Sequence, residues 1–292
     1  MDWSAIESAI SQADGIDFSV NKTRSIGGGS INSAYLLADS NHQYFVKTNS
    51  DRYADMFAAE AEGLVEMHKP DVIKVPRPVC WDTIGSTTFI VLEYITFGRS
   101  NASSAQSFGE QIAALHKVTH SQFGWYRDNT IGSTPQLNTY NNNWVDFYRE
   151  QRLLYQIKLA HMHGHKGQLH KLGDKLCDRL EDFFTDYQPV PSLLHGDLWS
   201  GNYDYDESGS PVIFDPAVYY GDREADIAMT ELFGGFSPAF YDAYNAVFPL
   251  HDGYSVRKTL YNLYHILNHL NLFGSGYYSQ AISIMQRLLS EI

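Results

Sequence analysis

Cysteine is nearly absent from this chain: Cys80 and Cys177 are the only two among 292 residues. A single bridge adds little to a chain able to bury a large core, so the usage predicts a reducing compartment, and the cytoplasm is expected. Positive charge is scarce as well. The 34 acidic residues outnumber 21 basic ones, for a formal net charge of -13, and no basic cluster relieves the imbalance. A nucleic-acid backbone is therefore not an expected partner, whereas a neutral or cationic small molecule is compatible with this charge. Nowhere do eighteen apolar residues run together, and the start "MDWSAIESAI" carries Asp2 and Glu7 where an export signal carries positive charge. Neither a membrane span nor export is expected. Internal repeats and low-complexity tails are also missing, which leaves one large domain or two coupled ones.

What is present changes character along the chain. Residues 2–13 repeat at a helical period, "SIGGGSINSAYLLA" and "HQYFVKT" read as strands around a glycine turn, and "DMFAAEAEGLVEMH" reads as a helix. "TTFIVLEYI" is a buried strand running out into "TFGRSNASSAQS", whose Gly, Ser and Asn content marks a linker. From "SFGEQIAALHKVTH" onward helical patterns dominate, broken by a polar loop at "NTIGSTPQLNTYNNN" and by strands flanking "DESGSP". The expected organisation is an α+β fold with a β-rich part over residues 1–95 and a mainly helical part over 96–292.

Chemistry concentrates in "LLHGDLWSGNYDYDESGSPVIFDPA", residues 193–217. The runs "GNYDY" and "PVIFD" flank the turn "DESGS" in a hairpin signal, and a turn centred between Ser208 and Gly209 would set Asn202 opposite Asp215. Asp197 precedes them on the incoming loop. Oxygen ligands converging in this way suit Mg²⁺, which prefers hard oxygens and keeps positions for substrate phosphates. Each residue alone is an ordinary turn residue. The signal lies in the joint spacing of His195, Asp197, Asn202 and Asp215.

The pattern H-G-D-x-x-x-x-N with a later Asp resembles the catalytic and metal loops of the protein-kinase-like fold, in the small-molecule branch that includes aminoglycoside and choline kinases. With "DPAVYYGDREADIAM" and "YNLYHILNHLNLFGSGY" added, "HGDLWSGN" resembles the fructosamine kinase and ketosamine-3-kinase family over nearly the whole chain. Trp199-Ser200 is its most discriminating piece. This resemblance implies a two-lobed fold, with a β-rich nucleotide-binding lobe and a helical catalytic and substrate-binding lobe. It also implies Asp197 as the residue that accepts or orients the attacking hydroxyl proton, Asn202 and Asp215 as magnesium ligands, and His195 as a structural member. ATP and Mg²⁺ follow as cofactors, and a ketoamine as acceptor: fructosamine or ribulosamine, on a free amine or a glycated lysine. Phosphorylation at the 3-hydroxyl would make the adduct labile and serve deglycation. Gly196 stands where a protein kinase has the Arg that pairs with a phosphorylated activation loop, and Pro216-Ala217 replaces the usual Phe-Gly. Together with the short stretch from Asp215 to Asp226, these departures predict a kinase without activation-loop switching.

The N-terminal residues allow an independent check. Lys47 ends "QYFVK" and is placed to reach the α- and β-phosphates. Met56, Glu60, Leu64 and Met67 share one helix face, leaving Glu62 and Glu66 on the polar side, and a carboxylate facing the core wants a cation such as Lys47. "GGGSINSAY" is the candidate phosphate-covering turn, with Gly28, Gly29 and Ser30 bringing backbone N–H groups close to oxygens. It matches neither a P-loop nor a Rossmann fingerprint. Ser30 stands where some relatives carry cysteine, so no thiol switch is expected there. Backbone groups of Glu93, Tyr94 and Ile95 are expected at the adenine edge.

Trp199 is expected to shape the acceptor pocket, Asp222 is a candidate substrate contact, and Asp226 is expected to brace the catalytic loop. His161, His163, His165 and His170 read as surface residues because Gly164 and Gly167 break any rigid face. His265 and His269 read as packing, since no Glu follows His265 as in H-E-x-x-H. Two alternatives stand beside the ketoamine kinase: a kinase for another small alcohol such as an aminoglycoside, choline or a sugar, and a non-catalytic nucleotide-binding module. Retention of Lys47, Glu60, Asp197, Asn202 and Asp215 argues against the second. A monomer or weak dimer is expected.

Overall fold

Residues 3–27 and 31–292 are described by a computed structural model. Helix α1 (Ser4–Asp14) forms around Ile6 and Ile10, one turn apart and both buried, and stops at Gly15, whose φ of 68° is left-handed. Strands β1 (Lys22–Ile26), β2 (Ser33–Ala38) and β3 (Gln43–Ser50) follow, then helix α2 (Ala54–His68) and strands β4 (Pro78–Ile84) and β5 (Thr87–Glu93). These strands make an antiparallel sheet in the order β1-β2-β3-β5-β4.

Strand alternation sorts the residues between two faces. Tyr44 and Val46 of β3, with Phe89 and Val91 of β5, join Ile6, Ile10 and Phe18 in the core under α1. Lys47 therefore points to the other face, where it meets Glu60 of α2. The expected helix face is also found, with Met56, Leu64 and Met67 buried.

Further along come α3 (Ser104–His116), the hairpin β6 (Asn129–Ile131) and β7 (Thr134–Gln136), then α4 (Trp144–Tyr148), α5 (Tyr155–Met162) and α6 (Gln168–Asp178). After them lie the short strands β8 (Ser192–Leu194), β9 (Tyr203–Tyr205), β10 (Pro211–Ile213) and β11 (Tyr219–Gly221). Helices α7 (Glu224–Leu232), α8 (Pro238–Val247), α9 (Tyr254–Phe273) and α10 (Tyr278–Glu291) complete the described residues. Among these, no helix is long and apolar enough to cross a membrane.

The chain forms two compact units. One takes the described residues up to Asn101 together with Asp204–Asp215, and the other takes Ala102–Tyr203 and Pro216–Ile292. A division at residue 95 misses the return of 204–215, which hydrogen bonding explains. Gly98 N–H donates to Tyr205 O at 2.8 Å, Ile213 N–H donates to Lys74 O at 3.1 Å, and Lys74 Nζ holds Asp206 at 3.0 Å.

Within the second unit, β8 pairs with β11 and buries Leu193, Leu194 and Tyr219. The polar stretch expected to be a loop contains β6 and β7. Its amides are buried donors: Asn129 Nδ2 reaches Val218 O at 2.8 Å and Gln136 Nε2 reaches Ala217 O at 3.1 Å, which satisfies carbonyls that no ladder covers. α5 and α6 are separated as expected around Gly164 and Gly167, with φ of 94° and 79°. His161 and His170 face each other with ring centroids 5.4 Å apart, yet no group of three or more His, Cys, Asp or Glu suited to a metal occurs among the described residues.

Helices α3 and α8 meet at a glycine, where a Cβ on Gly109 would fall 2.2 Å from Phe240 O. Backbone on both sides cannot yield as a side chain would, so Gly109→Ala should lower the unfolding free energy by roughly 1–3 kcal/mol. Gly276, with nothing within 4 Å of its virtual Cβ, is the control, and Gly276→Ala should stay within about 0.5 kcal/mol in the same urea titration.

Candidate active site

In the second unit the site is built on the loop that leaves β8. Leu193, Leu194 and Leu198 are wholly buried and fix the loop at both ends, with His195 buried between them. Gly196 follows with φ of 80°, and a Cβ there would sit 2.0 Å from Ala217 O. No L side chain fits this position in the loop as it stands. Ala217 N–H donates to His195 O at 2.8 Å, tying the loop to the segment before β11.

Asp226, in the first turn of α7, holds the same loop from below. Its carboxylate accepts His195 N–H at 2.7 Å and Gly196 N–H at 2.8 Å, and His116 Nε2 lies 3.2 Å away. Burial alone would raise its pKa, but His116, His195 and the Gly196 N–H outweigh it, and the carboxyl is held below the ordinary range. Asp197 N–H donates to His195 Nδ1 at 3.2 Å, which makes His195 the structural member expected. Asn202 Nδ2 then donates to Asp197 O at 2.9 Å and to Asp197 Oδ2 at 3.0 Å. Since the nitrogen makes both bonds, the amide oxygen is turned elsewhere.

A second group of site residues lies in the first unit. Lys47 Nζ is 2.7 Å from Glu60 Oε1 and 2.6 Å from Asp215 Oδ1. Burial works against the lysine charge, but the two carboxylates outweigh it and raise its pKa above the usual value. Asp215 has φ of 57°, and Asp71 is the one other non-glycine residue with positive φ among the described residues. A left-handed aspartate is uncommon and is retained where its surroundings over-determine it. Its side chain is 47% exposed, against 8% for Lys47, so the carboxylate presents an edge to solvent while the ammonium is covered.

The hairpin register differs from the expectation by one residue. Asp206 N–H donates to Ser210 O at 2.9 Å and Gly209 N–H to Asp206 O at 2.8 Å, so the turn centres on Ser208 with Gly209 left-handed at φ 82°. Asn202 lies ahead of β9, where its N–H donates to Trp199 O at 3.0 Å. Around the expected adenine edge, Glu93 N–H is committed to Arg77 O at 2.8 Å, which removes it as a donor. Glu93, Tyr94 and Ile95 line an open cleft of about 300 Å³ with Lys74, Thr96 and Asp206. Gly28, Gly29 and Ser30 lie outside the described residues.

Asp222 is not a substrate contact. It is fully buried, Tyr187 donates to Oδ1 at 2.8 Å and Tyr261 donates to Oδ2, so its oxygens are spent inside the fold. Trp199, by contrast, is exposed and its N–H donates to Asp197 O at 3.1 Å. His265 is buried and its pKa falls to about 3, so it stays neutral, while His269 Nδ1 is 2.7 Å from His265 O. Sequence reasoning missed the role of His116, although a histidine closing the apolar stripe of "QIAALH" is a signal of a buried imidazole seeking a partner.

A family model described as "Fructosamine kinase" matches residues 2–291. A Synechocystis sp. protein named "Probable ketoamine kinase" is 47% identical over 98% of this chain and 97% of its own length. The chloroplastic protein-ribulosamine 3-kinase of Arabidopsis thaliana is 44% identical over 92% of this chain and 83% of its own. Among solved structures, a Haemophilus somnus protein assigned as a fructosamine-3-kinase superposes with a TM-score of 0.90 at 29% identity, covering 98% and 97% of the two chains. An aminoglycoside phosphotransferase in complex with ADP and hygromycin B has a TM-score of 0.67 at 16% identity over 98% and 97%, which establishes the protein-kinase-like fold.

Asp226→Asn keeps the shape and removes the charge, and should lower the unfolding free energy by roughly 2–3 kcal/mol at neutral pH. Because the folded pKa is depressed, the contribution is complete above the ordinary aspartate value and is lost as pH falls through the lowered one. Urea titrations of both proteins should show a difference that holds near pH 5 and narrows below about pH 4.

Proposed function

The chain belongs to the fructosamine kinase family, and from that premise we propose that it transfers the γ-phosphate of ATP to a sugar hydroxyl of a ketoamine, the 3-hydroxyl, in deglycation. The single observation that carries the reading is the catalytic pair in the second unit, where Asn202 Nδ2 fixes Asp197 Oδ2 at 3.0 Å on a loop that Asp226 immobilises. A carboxylate with one oxygen anchored in this way is oriented to accept the proton of an attacking hydroxyl. The acceptor follows from kinship, since the relatives over nearly the full chain are named for ketoamines and ribulosamines.

On the nucleotide side, Lys47 carries a charge that its carboxylate partners hold in place. Glu60 keeps the ammonium from swinging away, so its protons are available to α- and β-phosphate oxygens without a conformational search. Gly28, Gly29 and Ser30 are proposed to cover the phosphates, and Tyr94 and Ile95, with the Glu93 carbonyl, to receive the adenine edge.

Asp215 and Asn202 are proposed as magnesium ligands on the strength of kinship, and each keeps an oxygen for the ion. Asp215 Oδ1 is engaged by Lys47, which leaves Oδ2 on an exposed side chain, and Asn202 offers an amide oxygen. Magnesium takes few protein oxygens and completes its shell with phosphate and water. When held, the ion would supply neutralisation of charge on the β- and γ-phosphates. Trp199 is proposed to border the acceptor. The scarcity of cysteine supports the cytoplasm as the proposed place of action.

Purified protein with Mg-ATP should phosphorylate ribulosamine and fructosamine at the 3-hydroxyl, read by ³¹P and ¹³C NMR of the product, in preference to choline, free sugars and aminoglycosides. Transfer to one of those other alcohols but to neither ketoamine would overturn the acceptor assignment. Asp197→Asn should lower kcat by about 10²–10⁴-fold. Lys47→Met should raise the KM for ATP and lower kcat, since it removes the phosphate contact and strands Glu60 in the interior.

A further inference from the structure

Gly201 and Trp199 share an arrangement that the Asp197–Asn202 pair does not account for. A Cβ on Gly201 would lie 2.3 Å from Cζ2 and 2.4 Å from Cη2 of the Trp199 indole. The far ring of the indole thus lies folded back on the loop, in space available only because residue 201 has no side chain. From there it meets Phe233 edge-on, with ring centroids 6.2 Å apart and an interplanar angle of 75°. The contact continues from Phe233 to His269 at 4.9 Å, and from His269 to Phe273 at 5.4 Å and Tyr277 at 5.2 Å. Trp199 and Phe273 are 36% and 55% exposed, so the run opens to solvent at both ends.

We propose that this aromatic run is the subsite for the amine-bearing end of the acceptor, and that Gly201 is the residue that positions its first member. The inference rests on the ketoamine kinase reading and adds which part of the substrate is recognised. The run begins at Trp199, whose N–H is bonded to the carbonyl of Asp197, so it starts beside the reacting group and leads away from it. A ketoamine nitrogen is a basic secondary amine, and the stem of a modified lysine is a chain of methylenes. Aromatic faces receive both, the cation through the ring quadrupole and the methylenes through burial. His269 is the polar member of the run, and burial lowers its pKa, which favours an uncharged ring that does not repel a cationic ligand. His265, one turn earlier on α9, is likewise held neutral by burial. The surplus of acidic residues, 34 against 21 basic, adds a further bias toward a cation.

Two acceptors with the same ketose separate the parts of the claim, one carrying it on the side chain of Nα-acetyl-lysine and the other on methylamine. Wild-type kcat/KM should favour the lysine adduct by about tenfold, the equivalent of burying two methylenes. Gly201→Ala should reduce that ratio to within about twofold of unity, with the change in KM for the lysine adduct. Trp199→Leu and Phe273→Ala should move the ratio in the same direction. Combining Gly201→Ala with Trp199→Leu should cost no more than Trp199→Leu alone, because the added methyl then has no indole to displace. Equal losses on both acceptors in Gly201→Ala, an unchanged ratio in Phe273→Ala, or additive losses in the double variant would overturn the inference and leave the kinase reading intact. Failure of the wild type on both acceptors would overturn the kinase reading, and this inference with it.

Discussion

A carboxylate sealed from water remains ionised only where donors surround it, and Asp226 meets that condition with two backbone N–H groups and an imidazole. Those N–H groups belong to His195 and Gly196, so the charge that needs them also determines the path of the chain into Asp197. The left-handed turn at Gly196, the close approach of Ala217 O and the bond from Asp197 N–H to His195 all follow from a backbone pinned at that point. A phosphoryl-transfer enzyme depends on placing groups more than on covalent chemistry, and here placement begins with one buried negative charge.

In the first unit the polarity of the problem is reversed. Lys47 is the buried charge, and carboxylates from α2 and from the segment after β10 satisfy it. Both cases obey the rule that an ion removed from water must be met by charged or hydrogen-bonding partners. Glu224 and Arg257 form a third such pair, with Arg257 Nε 2.7 Å from Glu224 Oε2 and the glutamate pKa pushed up to about 7 by burial in spite of the guanidinium.

Local patterns were legible where the physics is local. The face of α2 carrying Glu60 can be read from its period, and the spacing of Asp197 and Asn202 reports a loop whose amide closes back on its carboxylate. The hairpin register was not legible, since it turns on whether Gly209 takes the left-handed place in the turn. Asp222 was misread because a sequence does not show that Tyr187 and Tyr261 bring hydroxyl groups to it. His116 was passed over for the same reason, its carboxylate partner being 110 residues away.

The segment 204–215 belongs with the described residues up to Asn101, although the chain first builds much of the second unit. During synthesis Lys47 therefore emerges 168 residues ahead of Asp215. At ordinary translation rates that is a wait of roughly ten to thirty seconds. Throughout it the lysine has Glu60 alone, and the first unit is without its 204–215 segment. A ribosome that stalls between the two positions leaves a nascent sheet whose central cation has one of its two carboxylate partners, a species for chaperones to hold until residue 215 arrives.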